Sequence, residues 1–357
     1  MRRGLAVEPL SATLSRLQDE YEQAADAAGF TVDVNLRIAG KSVSLRFAGE
    51  TAADALTPAF AHLEATDEPP ALALSVWDAA TSQAERPAFA SSLPEPDAHA
   101  RATGAGPSYY TEEDDFRALR QPAADVFSVL TAAADRGWFW MPDARGLPYW
   151  DYTAPFRHLL SWWLDACGLR QVHAGAVGTD DGGVLLVGAG GSGKSTSALA
   201  SLLDERLRYA GDDYVVVDAR GTPDVYSLYC SGKVHRDDLQ RLPHLEPALL
   251  EGTRPDEKAV FYVEPAFPGR ATDGFPLRAI VVPRVTDRRS ARFRPVPQAV
   301  ALAALAPSTI FQLHPPAGKA LAYMSELVQK VPAFVLELGS DVETIPAELL
   351  RLLEQLQ

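Results

Sequence analysis

A chain of 357 residues exceeds the usual span of one domain, and with 47% hydrophobic and 22% charged residues it has the make-up of a folded globular protein, not a fibre or coiled coil. Its formal net charge of -14, without a Lys/Arg-rich run, excludes the basic footprint that a nucleic-acid partner requires. Cys167 and Cys230 fit no zinc or disulfide spacing, and no run of about 18 apolar residues marks a membrane span or signal peptide, so a cytoplasmic protein is expected.

In chain order, helical spacing of apolar residues from Ser11 to Ala28, stopped by Gly29, predicts a first helix. Alternation over Thr31–Ile38 and Ser42–Phe47, about Ala39-Gly40-Lys41, predicts a β-hairpin. A helix over Ala52–Leu63 and a strand ending at Trp77 complete a small α+β domain, residues 1–80, whose hairpin would offer an edge for peptide recognition. From 81 to 108 Ala, Ser, Pro and Gly dominate without periodicity, which is the composition of a linker. The second domain, 109–357, opens with strands at VFSVL and WFWMP and a helix that starts near Thr153 and Pro155 and stops at Gly168. Trp138, Trp140, Trp150, Trp162 and Trp163 are dense enough to be core residues.

Next comes His173, a turn over Thr179–Gly183, and the apolar run Val184–Val187, leading straight into Gly188-Ala189-Gly190-Gly191-Ser192-Gly193-Lys194-Ser195. A strand, this eight-residue pattern and a helix over Ser195–Leu203 are the parts of a phosphate-binding P-loop. The glycines let several backbone N–H groups converge on phosphate oxygens, Lys194 neutralises the β- and γ-phosphates, and the Ser195 hydroxyl, beside Thr196, binds Mg²⁺. The expected ligands are therefore ATP, or another nucleoside triphosphate, and magnesium.

Asp212 and Asp213 lie at a strand end, 18 and 19 residues after Lys194, where a carboxylate can hold a metal or take a proton from a nucleophile. The metal is assigned to Ser195 and Asp213. Lys233, Lys258, Arg278 and Arg284 are the later basic residues within possible reach of phosphate. Further strands are predicted over Tyr214–Val217, Val225–Tyr229, Ala259–Val263, Leu277–Val282 and Phe334–Leu338, and helices over Pro297–Ala306, Ala317–Val331 and Ile345–Gln357.

HAGAVGTDDGGVLLVGAGGSGKSTSALA together with YAGDDYVVV resembles the catalytic domain of HPr kinase/phosphorylase, in the order histidine, apolar strand, P-loop and Asp-Asp pair, over about residues 171–218. The resemblance implies an α/β fold: a P-loop kinase domain of the HPr kinase and phosphoenolpyruvate carboxykinase type, preceded here by the small α+β domain. It also implies that Asp212 is the general base, with Asp213 and His173 supporting charge and protonation. Thr196 departs from the family's glutamate, and the family's later arginine-glycine segment is not recognisable. YSLYCSGKVH and the late APSTIFQLHPP resemble the divergent branch that includes kinases of lasso-peptide precursors. The reading is a serine kinase acting on a protein or precursor peptide, without a nucleic-acid or membrane partner and compatible with a homo-oligomer. A kinase of free serine or a similar metabolite, and an ATPase or switch without an acceptor, remain the alternatives.

Overall fold

The computed structural model describes residues 10–91, 93, 109–250, 256–313 and 318–357. The chain divides into one unit of 1–37, 41–57 and 65–163, and another of 38–40, 58–64 and 164–357. Among the described residues no helix is long and apolar enough to cross a membrane.

In the first unit, helix α1 (Leu10–Ala28) buries Leu17, Tyr21 and Ala24, whose spacing puts them on one face. Tyr21 meets Trp77 edge-on, ring centroids 5.9 Å apart, and the same cluster takes in Phe127, Trp138 and Trp140. The sheet beneath is built from β1 (Thr31–Ile38), β2 (Lys41–Ala48), β3 (Leu72–Asp78), β4 (Tyr109–Glu112), β5 (Phe116–Gln121), β6 (Val126–Thr131) and β7 (Arg136–Met141), in the order β1-β2-β3-β7-β6-β5-β4. Strand β7 runs parallel to β3, with Ala73 opposite Arg136 and Asp78 opposite Met141. Residues 109–141 thus share a sheet with the N-terminal strands, whereas the composition change at 81–108 had suggested a domain boundary before them. That stretch is described only at 81–91 and 93, where it forms short helical turns at Ala79–Ser82 and Ala88–Ser91. Trp162 and Trp163 are buried as the aromatic density predicts, but Trp150 is 39% exposed. Helix α2 (Glu50–Leu56) is shorter than expected and tightens into a 3-10 turn at Thr57–Phe60, where Pro58 has no N–H to continue an α-helix. Helix α3 covers Arg157–Ala166.

The second unit contains β8 (Arg170–His173), β9 (Gly175–Thr179), β10 (Gly182–Leu186), α4 (Lys194–Ala200), β11 (Arg208–Gly211), β12 (Tyr214–Asp218), β13 (Asp224–Ser227), β14 (Ser231–Val234), β15 (Ala259–Tyr262) and β16 (Gly274–Val285). They are followed by β17 (Arg292–Val296), α5 (Gln298–Gln312), α6 (Gly318–Lys330), β18 (Ala333–Leu338) and α7 (Thr344–Gln355). The sheet order is β11-β9-β10-β16-β13-β12-β8, with β18 on β16 and β17 on β18, while β14 and β15 form a separate ribbon. This is a mixed α/β architecture. Strands β10, β16 and β18 are mutually parallel, so their carboxyl ends lie along one edge, where ligands of open α/β sheets bind. Ile280, Ala301, Leu305, Met324 and Leu327 belong to one buried cluster that joins α5 and α6 to this sheet.

Helix α5 continues to Gln312 through Pro307, whereas the proline had suggested an end at Ala306. Strand β17 escaped the sequence reading because RFRPV is mostly exposed and holds Pro295, which an edge strand tolerates.

Gly178 and Gly183 face each other across the β9–β10 pair, and a Cβ on Gly178 would lie 2.5 Å from the Gly183 Cα and 2.7 Å from the Gly182 carbonyl oxygen. Because backbone atoms cannot yield, Gly178→Ala is expected to lower unfolding stability by about 1–3 kcal/mol in urea titrations. Gly221→Ala, whose Cβ would meet nothing within 4 Å, is the control and should leave the midpoint unchanged.

Candidate nucleotide site

The apolar strand β10 is wholly buried, and Val187 continues its pairing by donating its N–H to the Val281 carbonyl at 2.9 Å. The chain then turns through the glycine loop into α4, with Gly193 as the N-terminal cap. Gly193 has φ +102, a backbone conformation that favours glycine, and a Cβ there would sit 2.2 Å from Leu338 Cδ1 on β18, so the leucine would have to shift. At the other end of the loop, a Cβ on Gly188 would lie 2.7 Å from Ser192 Oγ.

Lys194 is 7% exposed, and its ammonium folds back over the loop to donate to the Gly188 carbonyl at 2.7 Å and the Ala189 carbonyl at 3.2 Å. Burial pushes its pKa down, against the pull of the Asp213 and Asp212 carboxylates. Ser195 is half-buried, Thr196 and Ser197 are buried, and Ser192 Oγ is buried without a hydrogen-bond partner among the described residues.

The carboxylates follow β11. Asp212 is 2% exposed; its Oδ2 accepts the Lys233 backbone N–H at 3.0 Å, while its Oδ1 has no partner among the described residues. Burial raises its pKa, partly offset by the charge of Lys233. Asp213 keeps 26% of its side-chain surface exposed. His173 Nε2 donates to its Oδ1 at 2.8 Å, and the Lys233 ammonium donates to its Oδ2. Burial pushes the Asp213 carboxyl up, but Lys233 and His173 together outweigh it and hold the group well below the ordinary range. For Lys233, burial pushes downward and the Asp213 and Asp212 carboxylates outweigh it, so its pKa is raised.

The support behind these groups comes from distant elements. His173 pairs with Tyr214 in the β8–β12 ladder, its N–H donates to Thr309 Oγ1 at 3.1 Å, and the Tyr214 hydroxyl donates to Gln312 Oε1 at 2.6 Å. The buried Tyr209 hydroxyl donates to the Ser231 carbonyl at 2.8 Å, anchoring the ribbon that carries Lys233.

His173, Asp213 and Lys233 are therefore in direct contact, with Asp212 joined to the Lys233 backbone and Lys194 within electrostatic reach of both carboxylates. Lys258 also acts on Lys194 and Asp212. Arg278 is elsewhere: it donates to the Asp181 carbonyl at 2.8 Å, at the amino end of β10, away from the loop. Arg284 is exposed near the carboxyl end of β16. Thr309 and Gln312 had no signal in the sequence; the strand and glycine context of Lys233 was its only one.

No family model matches the chain, and no curated protein matches it. Among solved structures, the HPr(Ser) kinase/phosphatase from Coxiella burnetii is similar at 13% identity, covering 52% of this chain and 97% of that chain with a TM-score of 0.30. At that score the likeness carries no argument about this site.

The charges predict a pH signature. The depressed Asp213 contributes stability above its ordinary 3.8 that is lost as pH falls through its folded value, and the raised Lys233 contributes stability below 10.5 that is lost as pH rises through its folded value. Between those limits, Lys233→Met leaves Asp213 with His173 alone and removes the cation that offsets the burial of Asp212, and is expected to cost about 3–5 kcal/mol. At pH 3 the gap from the wild type should narrow, because protonation of the two carboxylates removes the charge that has lost its cation. Urea titrations at both pH values check this, and a gap independent of pH contradicts the assigned pair.

Proposed function

We propose that this chain is a phosphotransferase of the HPr kinase type, which passes the γ-phosphoryl group of ATP to a serine hydroxyl on a protein or precursor peptide. The observation that carries the proposal is the meeting, in one unit, of a P-loop lysine with a carboxylate held between His173 and Lys233. A P-loop ATPase also sets a carboxylate beside its loop, to hold the metal. A second carboxylate next to it, with a histidine and a lysine fixing the first, supports a site that also receives an acceptor hydroxyl.

In the proposed step the acceptor oxygen bonds to the γ-phosphorus, the bond from that phosphorus to the ADP oxygen breaks, and the hydroxyl proton goes to a carboxylate. Phosphoryl transfer runs through a loose transition state, so placing the hydroxyl matters more than a strong base. This favours Asp213, which keeps exposed surface, as the group that meets the hydroxyl, with the buried Asp212 behind it. The expectation from the resemblance was the reverse assignment, with Asp212 as base.

Magnesium suits the donor set. It is ordinarily held by one or two carboxylates with phosphates and waters, not by an all-protein cage, and among the described residues no group of three or more His, Cys, Asp or Glu side chains is placed to hold a metal. Ser195 and Asp213, both keeping exposed surface, would hold it. When bound, it would neutralise charge on the β- and γ-phosphates.

A peptide acceptor is supported by the first half of β1, which lies at one edge of its sheet ahead of the bridge from Leu36 to Ala65 and is the kind of strand to which an extended peptide adds. ATP labelled at the γ-position, incubated with protein, peptide and free serine acceptors, tests the proposal: label is expected on a peptide or protein serine. Label found only as free phosphate favours an ATPase, and label on free serine a metabolite kinase. Asp213→Asn is expected to slow transfer by about 10²–10⁴-fold, whereas Lys194→Ala weakens nucleotide binding itself. If Asp212→Asn alone produces the rate loss, the proton acceptor is Asp212.

A further inference from the structure

The β14–β15 ribbon brings a second lysine to the site. Lys233 is opposite Val260 and Val234 opposite Ala259, and the same register carried one step past the ladder's end puts His235 opposite Lys258, immediately before β15. Residues two apart on a strand share a face, so Lys258 lies on the same face as Lys233, a diagonal neighbour at about 7–8 Å. That face is the one directed at the carboxylates, because the Lys233 ammonium bonds Asp213.

The two lysines differ in how they are committed. Lys233 is 5% exposed and bound to Asp213. Lys258 is half-buried, and it has no hydrogen bond or ion pair with any described residue. Its charge nevertheless acts on the P-loop lysine, which it pushes down, and on Asp212, which it pulls down. Lys194, Lys233 and Lys258 thus face two carboxylates, Asp212 and Asp213, and one positive charge is in excess. Two lysines within electrostatic reach of each other, in a partly dry site, repel unless an anion joins them. Lys194 belongs to the loop itself, where it bonds two carbonyls, and Lys233 is committed to Asp213. Lys258 is the cation left for an anion arriving between the loop and the carboxylates.

We propose that Lys258 binds the terminal phosphate of a nucleoside triphosphate, and so distinguishes triphosphate from diphosphate at this site. The proposal rests on the reading of Gly188–Ser195 as a nucleotide loop. It adds a residue outside the loop, on a separate ribbon, that recognises the phosphoryl group to be transferred. After transfer, the same ammonium would hold the phosphate on its new oxygen until the product leaves.

The test is a binding titration of the full chain with ADP and with an ATP analogue whose β–γ bridge is a methylene group, so that no transfer occurs. A charge-assisted contact to phosphate predicts that Lys258→Gln weakens the triphosphate analogue by about tenfold or more and leaves ADP within about twofold. Lys258→Arg should keep most of the preference, and Lys194→Ala should weaken both ligands. Unchanged affinities in Lys258→Gln, or an equal loss for both ligands, overturns the assignment of Lys258. Failure of the wild-type chain to bind either nucleotide overturns the loop reading, and this inference with it. Circular dichroism of the variant separates either result from loss of fold.

Discussion

The contact on which the site depends is the buried ion pair between Lys233 and Asp213, completed by His173. Such a pair is a poor source of stability. Moving each charge out of water costs several kcal/mol, whereas the attraction at an effective dielectric of about 20 returns only about 4 kcal/mol at 4 Å. A pair of apolar side chains of similar volume would serve a core at least as well. What the pair does instead is keep a carboxylate ionised and oriented within a mostly dry site. Its cost is offset by the scaffold: Tyr209 holds the Ser231 carbonyl, Asp212 holds the Lys233 N–H, and Thr309 holds the backbone of His173.

The phosphate loop depends on a different constraint, that of close approach. Three parallel strands place β10, Pro283 of β16 and Leu338 of β18 around the start of α4, with Leu338 so near Gly193 that a side chain there would displace it. The helix end of the loop therefore rests against a packed wall, while Ala189, Gly190 and Gly191 face solvent. Lys194 bonds two carbonyls of its own loop, which satisfies the buried ammonium in the absence of phosphate. A phosphate oxygen can replace those carbonyls with a stronger, charge-assisted bond, at little reorganisation of the loop.

How much of this was legible in the sequence follows from the range of the interactions. The loop, its flanking strand and helix, the hairpin β1–β2 and the amphipathic α1 are local patterns, and they were readable. The pairing of β7 with β3 joins residues about sixty positions apart, across a stretch whose composition looks like a boundary, so no local pattern announces it. The proline in α5 and the exposed, proline-bearing β17 went unread because tertiary packing there overrides local preference. Within the site, His173 and the Asp pair were found by order and spacing. Lys233 acquires its meaning only when β14 is laid beside β11 and β12, and Thr309 only when α5 is packed against β8.

Asp212 and Asp213 illustrate the same limit at the smallest scale. They are chemically identical and adjacent, so order and spacing cannot divide their roles. In the bend between β11 and β12 the two side chains nevertheless enter different surroundings, Asp212 almost wholly buried and Asp213 keeping part of its surface. Asp212 turns inward, loses its water and has a raised pKa; Asp213 turns toward His173 and Lys233, retains some exposure and has a depressed one. Burial thus holds the one away from an arriving hydroxyl, and the other is placed to meet it. The division of labour arises from burial together with the charges of Lys233 and His173, acting on two residues that the sequence presents as equals.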